Sequence, residues 1–253
     1  MIQKRAPLTD DDWRLLLDGH PILKGMSRDE LARLRKSAVD FLRQKTFEGA
    51  DGFVLNDFVR AVIALQASLP VLNLGIEWYG SWKTIVVVPD VFVEEHREED
   101  TFGIVHEWEE DKSGESWDEG PVLFSWKDVE ASGWGDGYNV IIHEAAHRLD
   151  MTDGRVNGRP SLHGGMSVDE WRHVFSLAFA DFSRSARSRK RKSRIDAYAA
   201  ESDSEFFAVA SEYFFERPEI LKSEYPDVYR LLSSFYRQDP SVRLDSKARN
   251  RRR

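Results

Sequence analysis

The sequence predicts an α+β protein in which a helical N-terminal portion precedes a domain of short strands followed by longer helices. Helix-capping signals stand before apolar residues at helical spacing within the first seventy residues. Short β-branched runs follow Pro70, and helical patterns return from Asn139 onwards. Strands followed by helices, without strict alternation, favour an α+β domain.

Three helices are expected in the N-terminal portion. Thr9 and the three aspartates after it precede an apolar run that begins at Trp13. Residues 27–30 read Ser-Arg-Asp-Glu, which is a capping-box pattern, and apolar residues recur after it at helical spacing. Asn56 is the expected N-cap of the third helix. The apolar stripes of these helices indicate core packing.

Strands are expected at 83–88, 103–108 and 122–126. The first is β-branched and short, as a buried strand should be, and the second partly alternates. Helical patterns of the second half cover 139–151, 167–184 and 202–216. These elements divide the chain into a helical portion packed on the core, a main domain and a disordered basic tail, at 1–70, 71–240 and 241–253.

Composition excludes several classes of function. The 253-residue chain contains no cysteine, so disulfides are impossible and a metal must be held by nitrogen and oxygen ligands. The net charge of −8 argues against direct binding of nucleic acid. We expect the acidic run 94–100 and the basic run 184–194 to be solvated loops. No apolar run suits a signal peptide or a membrane span, which predicts a cytoplasmic protein without a membrane partner.

The segment with the most chemical information reads His143-Glu144-Ala-Ala-His147 within a predicted helix. Histidines at positions i and i+4 lie on one face a turn apart, so both imidazoles can reach one tetrahedral ion. Glu144 lies beside that face and can take a proton from a water activated by zinc. This pattern predicts a zinc-dependent peptidase with one Zn²⁺ per chain and a peptide substrate.

Spacing along the chain offers two candidates for the third ligand. Asp153 could reach the ion if the helix ended early. Metzincin peptidases, however, place a turn glycine three residues after the second histidine, where this chain has Asp150. Glu205 is the better-placed alternative, because it opens a later apolar helix on which Glu212 shares its face. Asp150 itself is either an acceptor that orients an imidazole or a member of a surface salt bridge.

Several motifs together resemble the Mlc titration factor A peptidases. They are His143-Glu-Ala-Ala-His147 with Arg-Leu-Asp150, Asp196-Ala-Tyr-Ala, Glu205-Phe-Phe-Ala-Val, Ser211-Glu-Tyr-Phe-Phe215, Leu69-Pro-Val-Leu, Gly75-Ile-Glu-Trp78, Gly120-Pro-Val-Leu and Ser125-Trp126. The resemblance covers about residues 25 to 240. It does not extend to the basic run 184–194, and the amine-anchoring Gly-Ala-Met-Glu-Asn motif of large zinc aminopeptidases is absent.

That resemblance implies a zincin-like fold related to the catalytic domain of anthrax lethal factor, aminopeptidase-like activity, and binding to the transcriptional repressor Mlc. It implies that Glu205 is the third zinc ligand, that Glu144 is the catalytic base and that Tyr198 stabilises the oxyanion. It also implies His106 as a further ligand. Four protein ligands would leave no open position, which suggests a latent state. The alternative is a regulatory binding protein whose zinc site is structural or latent.

Overall fold

The computed structural model describes residues 8–80, 82–90, 120–187 and 193–243. The described helices are α1 Asp10–Gly19, α2 Arg28–Gln44, α3 Asp57–Ser68, α4 Trp126–Ala131, α5 Val140–Asp150, α6 Val168–Ala186, α7 Asp203–Glu216, α8 Pro218–Glu224 and α9 Pro226–Tyr236. The described strands are β1 Thr46–Gly49, β2 Thr84–Val88 and β3 Val122–Ser125. A small sheet with many helices is an α+β arrangement, as predicted.

The N-terminal helices begin where the capping signals place them. The side chains of Thr9 and Ser27 each accept a hydrogen bond from the backbone three residues later and complete capping boxes. Asn56 caps α3 by accepting from the N–H of Val59. Helix α3 is buried on nearly every side and packs against α2 and α5. It therefore connects the N-terminal helices to the helix that carries the histidine motif.

The sheet is parallel, with the strand order β1-β2-β3. Strand β1 was not predicted, and the portion 1–70 is consequently not helical throughout. Its sequence Thr-Phe-Glu-Gly contains no β-branched run and is mostly exposed, so pairing with β2 rather than local preference makes it a strand. Thr46 N–H donates to the Lys83 carbonyl at 2.9 Å, and Ala50 N–H donates to the Val87 carbonyl at 2.9 Å.

Two other strand predictions have different outcomes. The strand expected at 122–126 ends one residue early, because the Ser125 side chain caps α4 and Trp126 is already helical. The strand expected at 103–108 lies outside the described residues. Helices α5, α6 and α7 confirm the three helical predictions of the second half within one or two residues at each end.

One continuous hydrophobic core includes residues from both sides of Pro70. Phe41 of α2, for example, packs edge-on against Tyr79 and Trp82, with ring centroids 6.2 and 5.3 Å apart. The portion 1–70 thus shares its core with the rest of the chain. No helix in the described ranges combines the length and apolarity that crossing a membrane requires.

The expected tail 241–253 is wrong for its first three residues. Ser241 N–H donates to the Tyr229 hydroxyl at 3.0 Å, and the Arg243 guanidinium lies 2.9 Å from the Glu30 carboxylate.

The basic run 184–194 is likewise anchored at both ends: α6 continues to Ala186, and Arg194 pairs with Glu224 at 3.1 Å. Long-range partners, which a local charge pattern does not reveal, hold these segments. Residues 188–192 and 244–253 lie outside the description.

Candidate metal centre

Helices α5 and α7 pack against each other and position the candidate ligands. The Asn139 side chain caps α5 by accepting from the N–H of Ile142, as predicted. Ala145 and Ala146 are fully buried, and such small residues allow close packing around the histidines. His143 and His147 point inwards and are only 2% and 7% exposed. The histidine motif therefore lies in the interior.

Three side chains converge at this point. His143 Nε2 lies 3.0 Å from His147 Nε2 and 3.1 Å from Glu205 Oε2, and His147 Nε2 lies 3.3 Å from Glu205 Oε1. Within the described ranges, no other trio of His, Asp or Glu side chains converges in this way. The structure thus brings together the two histidines of the motif and the glutamate selected from the later helix.

The donor set fits a small cation. Both Nδ1 atoms face protein partners, and both Nε2 atoms point at each other and at a carboxylate. Glu205 Oε2 is buried and has no hydrogen-bond partner in the described part of the chain. Lone pairs and negative charge facing each other in a buried site are costly unless a cation lies between them. Two imidazole nitrogens and one carboxylate are a ligand set that zinc prefers in catalytic sites.

His143 is held by a chain of buried hydrogen bonds. Its Nδ1 lies 2.9 Å from Glu212 Oε1, and the other oxygen of Glu212 accepts from Asn139 N–H. The Asn139 amide donates in turn to Glu216 Oε1 at 2.8 Å and to Gln66 Oε1 at 2.7 Å. Sequence reasoning identified Glu212 but missed Gln66 and Glu216. The four-residue spacing from Glu212 to Glu216 could have revealed Glu216, because residues four apart lie on the same face of a helix.

His147 has different neighbours. Its Nδ1 lies 3.1 Å from the Ser204 hydroxyl, which donates to Asp150 Oδ2 at 3.0 Å. Asp150 is completely buried, so the surface salt bridge considered from the sequence is wrong. The Asp150 carboxylate also accepts from three successive backbone N–H groups, those of residues 157–159. Ser204 gave no signal in the sequence beyond its place next to Glu205.

The charges of this centre shift several pKa values. Burial opposes protonation of His143, but Glu205 and Glu212 outweigh it and raise the pKa of this imidazole well above its usual range. Burial would raise the pKa of Glu205, yet the close contacts with His143 and His147 and the charge of these imidazoles hold it far below its usual value. Burial raises the pKa of Glu212, and it raises the pKa of Glu216 to about 7. The centre favours positive charge between its ligands.

Two further predicted residues lie beside the ligands. Glu144 is half-buried and has no hydrogen-bond or ion-pair partner within the described ranges. Tyr198 lies on a 3-10 turn, Ala197–Ala200, and its ring centroid is 5.9 Å from that of His143. His143 and Tyr198 line a cavity of about 280 Å³ together with Asp136, Asp196 and other residues. A substrate group could therefore approach the metal ligands from this cavity.

Two other candidate ligands from the sequence are His106 and Asp153. His106, a possible additional ligand, lies outside the described residues. The backbone of Asp153 belongs to the 3-10 turn Met151–Asp153 that follows α5, and its side chain is also outside the description.

Comparison with known proteins agrees with this chemistry. The model of the family described as glucose-regulated metallo-peptidase M90 matches residues 1–237. Proteins named Mlc titration factor A from Salmonella paratyphi B, Salmonella typhimurium and Salmonella typhi are each 39% identical to the chain over 226 residues. These alignments cover 88% of this chain and 85% of each relative.

Proposed function

Because the chain belongs to the glucose-regulated metallo-peptidase M90 family, we propose that it is a zinc peptidase whose metal ligands are His143, His147 and Glu205. The observation that carries this proposal is the convergence of three buried side chains, in which the two Nε2 atoms lie 3.0 Å apart and each lies 3.1 or 3.3 Å from a Glu205 oxygen. A metallopeptidase family implies a metal, and the nitrogen and oxygen donors favour zinc. The zincin-like arrangement of the fold belongs to the same proposal.

The reaction divides between the ion and the protein. When bound, zinc supplies Lewis-acid polarisation of the peptide carbonyl and acidifies the attacking water. Glu144 accepts the proton of that water and delivers it to the leaving amine, a role that suits a half-buried carboxylate with no partner among the residues that the structure describes. Tyr198 lies beside His143. Its hydroxyl donates a hydrogen bond to the carbonyl oxygen of the substrate as negative charge develops on that oxygen.

We assign an aminopeptidase-like preference to this centre. The resemblance to the titration factor peptidases implies that preference. The cavity next to His143 supports it, because Asp136 and Asp196 are among the residues that line it, and nearby negative charge suits the positive amino terminus of a peptide. The cytoplasmic location and the latent state involving His106 stay predictions.

A regulatory role is the second candidate function. The relatives carry the name Mlc titration factor A. The resemblance drawn from the sequence motifs implies that the partner in that name is a transcriptional repressor. Binding of an Mlc-type repressor by this chain would make turnover secondary, and the zinc site would then be structural or latent. Both roles can belong to one protein, so the decisive question is whether hydrolysis depends on Glu144.

The test is the variant Glu144→Gln, which keeps the shape of the side chain and removes its ability to carry a proton. It should retain about one zinc per chain while peptide hydrolysis falls by about a hundredfold or more. The matched control is Glu130→Gln, which makes the same chemical change at an exposed position of α4 and should leave turnover unchanged. Undiminished hydrolysis in Glu144→Gln would contradict the proposal. Repressor binding that survives in this variant would show that the two roles are separable.

A further inference from the structure

We infer that Ser204 is a positioning residue that fixes His147 in its Nδ1-protonated tautomer and thereby presents Nε2 as the metal ligand. The inference rests on the proposed zinc site. Ser204 lies in the first turn of α7, immediately before Glu205, and is buried. Its hydroxyl oxygen lies 3.1 Å from His147 Nδ1 and 3.0 Å from Asp150 Oδ2.

The direction of the two hydrogen bonds follows from Asp150. Backbone N–H groups of residues 157–159 point at its carboxylate, with donor–acceptor distances of 2.7 to 2.9 Å. Burial raises the pKa of this carboxyl group, and the bonds from Gly158, Ser204 and Arg159 oppose that rise because they stabilise the ionised form. Three backbone N–H groups already donate to the two oxygens of this carboxylate, which therefore act as acceptors, so the Ser204 proton points towards Asp150 Oδ2. The hydroxyl oxygen then accepts a hydrogen bond from the N–H at His147 Nδ1.

That arrangement determines which nitrogen of His147 carries the lone pair. A neutral imidazole has one protonated and one unprotonated nitrogen, so protonation at Nδ1 leaves Nε2 free to bind a metal. His147 Nε2 is the atom that lies 3.0 Å from His143 Nε2 and 3.3 Å from Glu205. A group that orients the ring and fixes the tautomer typically changes metal affinity about 10- to 100-fold when it is lost.

Asp150 can hold Ser204 in place because the backbone around it is constrained. Gly158 has a φ of +70°, and a Cβ added there would lie 2.3 Å from the carbonyl oxygen of Asp203. The 157–159 segment therefore packs directly on the beginning of α7, where Ser204 and Glu205 stand. The Trp171 indole N–H donates to the Gly158 carbonyl at 3.0 Å and anchors this segment to α6.

The test compares Ser204→Ala with Ser211→Ala, which removes another buried hydroxyl from the same helix away from the ligands. Ser211 bonds to the Phe207 carbonyl and to Tyr236. The tautomer of His147 is read from ¹H–¹⁵N correlation spectra of the apo protein, and zinc affinity is read by competition with a chelator. Ser204→Ala should shift His147 towards the Nε2-protonated tautomer and weaken zinc binding about tenfold or more. Ser211→Ala should keep both wild-type values.

Ser204→Thr retains the hydroxyl and should keep the wild-type tautomer and an affinity within about threefold, which also provides the comparison if the alanine variant does not fold. Wild-type tautomer and zinc affinity in Ser204→Ala, or loss of both in a folded Ser204→Thr protein, would overturn the inference. Neither readout uses hydrolysis. A wild-type protein that binds zinc but cleaves no peptide would contradict the proposed function and leave the Ser204 result interpretable.

Discussion

His143 and His147 lie one turn apart on the same helix, yet the surroundings of the two imidazoles differ. His143 contacts the carboxylate of Glu212 directly, and that carboxylate belongs to a buried network with Asn139, Gln66 and Glu216. His147 meets a hydroxyl, and its carboxylate is one hydrogen bond further away. Nδ1 of His143 therefore lies next to a carboxylate, whereas Nδ1 of His147 lies next to an uncharged hydroxyl.

The difference separates two physical tasks. A carboxylate in contact with imidazole stabilises positive charge on that ring and increases its basicity as a ligand. A hydroxyl can orient the imidazole but adds little charge. The Asp150 carboxylate behind it accepts hydrogen bonds from the backbone N–H groups of 157–159 and so holds that segment in place. We therefore expect the Glu212 side to affect the metal mainly through charge, and the Asp150 side to affect it mainly through the fold.

The largest expected effect removes the ligand that both imidazoles share. Glu205→Ala should weaken zinc binding by more than the roughly 10- to 100-fold that loss of an outer partner causes, because it removes the carboxylate facing both Nε2 atoms. Asp153→Ala is the matched comparison, since Asp153 is the ligand that sequence spacing left open, and it should change affinity little. Chelator competition measures both. The opposite result would assign the third ligand to Asp153.

The next prediction tests whether Glu212 and Asp150 affect the metal site in different ways. Glu212→Gln should lower zinc affinity about 10- to 100-fold, since the negative charge is lost and the single amide oxygen can accept from only one of Asn139 N–H and His143 Nδ1–H. Asp150→Asn should change affinity less and instead lower the free energy of unfolding of the apo protein by about 1 to 3 kcal/mol, because an amide nitrogen in place of Oδ2 leaves the buried N–H of Gly158 without its acceptor. Zinc titration and denaturant unfolding of both variants test the assignment. Equal profiles for the two variants would show that the sides do not differ.

The smallest expected effect concerns the outer end of the His143 network. Burial raises the pKa of Glu216 to about 7 in the folded protein, against an ordinary value of 4.5, so the folded state holds a proton that the unfolded state has released. Stability from this group is present at low pH and is lost as the pH rises through about 7. Between pH 6 and pH 7 the loss should be about 1 kcal/mol.

Glu216→Gln isolates this contribution. Glutamine offers one acceptor oxygen in place of two, so bonds to Asn139 and Gly135 weaken and the overall stability falls. The histidines and other groups still titrate in both proteins. The difference between the two slopes of unfolding free energy against pH therefore reports on Glu216 alone. Parallel slopes from pH 6 to pH 7 would mean that the buried carboxyl group is ionised throughout.

The sequence by itself determined the features that depend on local geometry. Thr9, Ser27, Asn56 and Asn139 cap the helices for which they were chosen, because a capping side chain reaches backbone only two or three residues away. The pairing of His143 with His147 follows from the pitch of one helix. Glu205 could be proposed only as the better of two alternatives, since spacing along the chain does not fix distance between helices.

Tertiary structure decided everything that joins distant parts of the chain. Ser204 stands 57 positions after His147, and Glu212 stands 69 positions after His143, so their contacts exist only because α7 packs on α5. Strand β1 exists because β2 pairs with it. The Arg243 guanidinium donates to the carboxylate of Glu30, which lies 213 positions earlier in the chain. Local preference encodes the helices and the ligand pair, whereas packing of the helices selects the remaining ligand and the groups that orient both histidines.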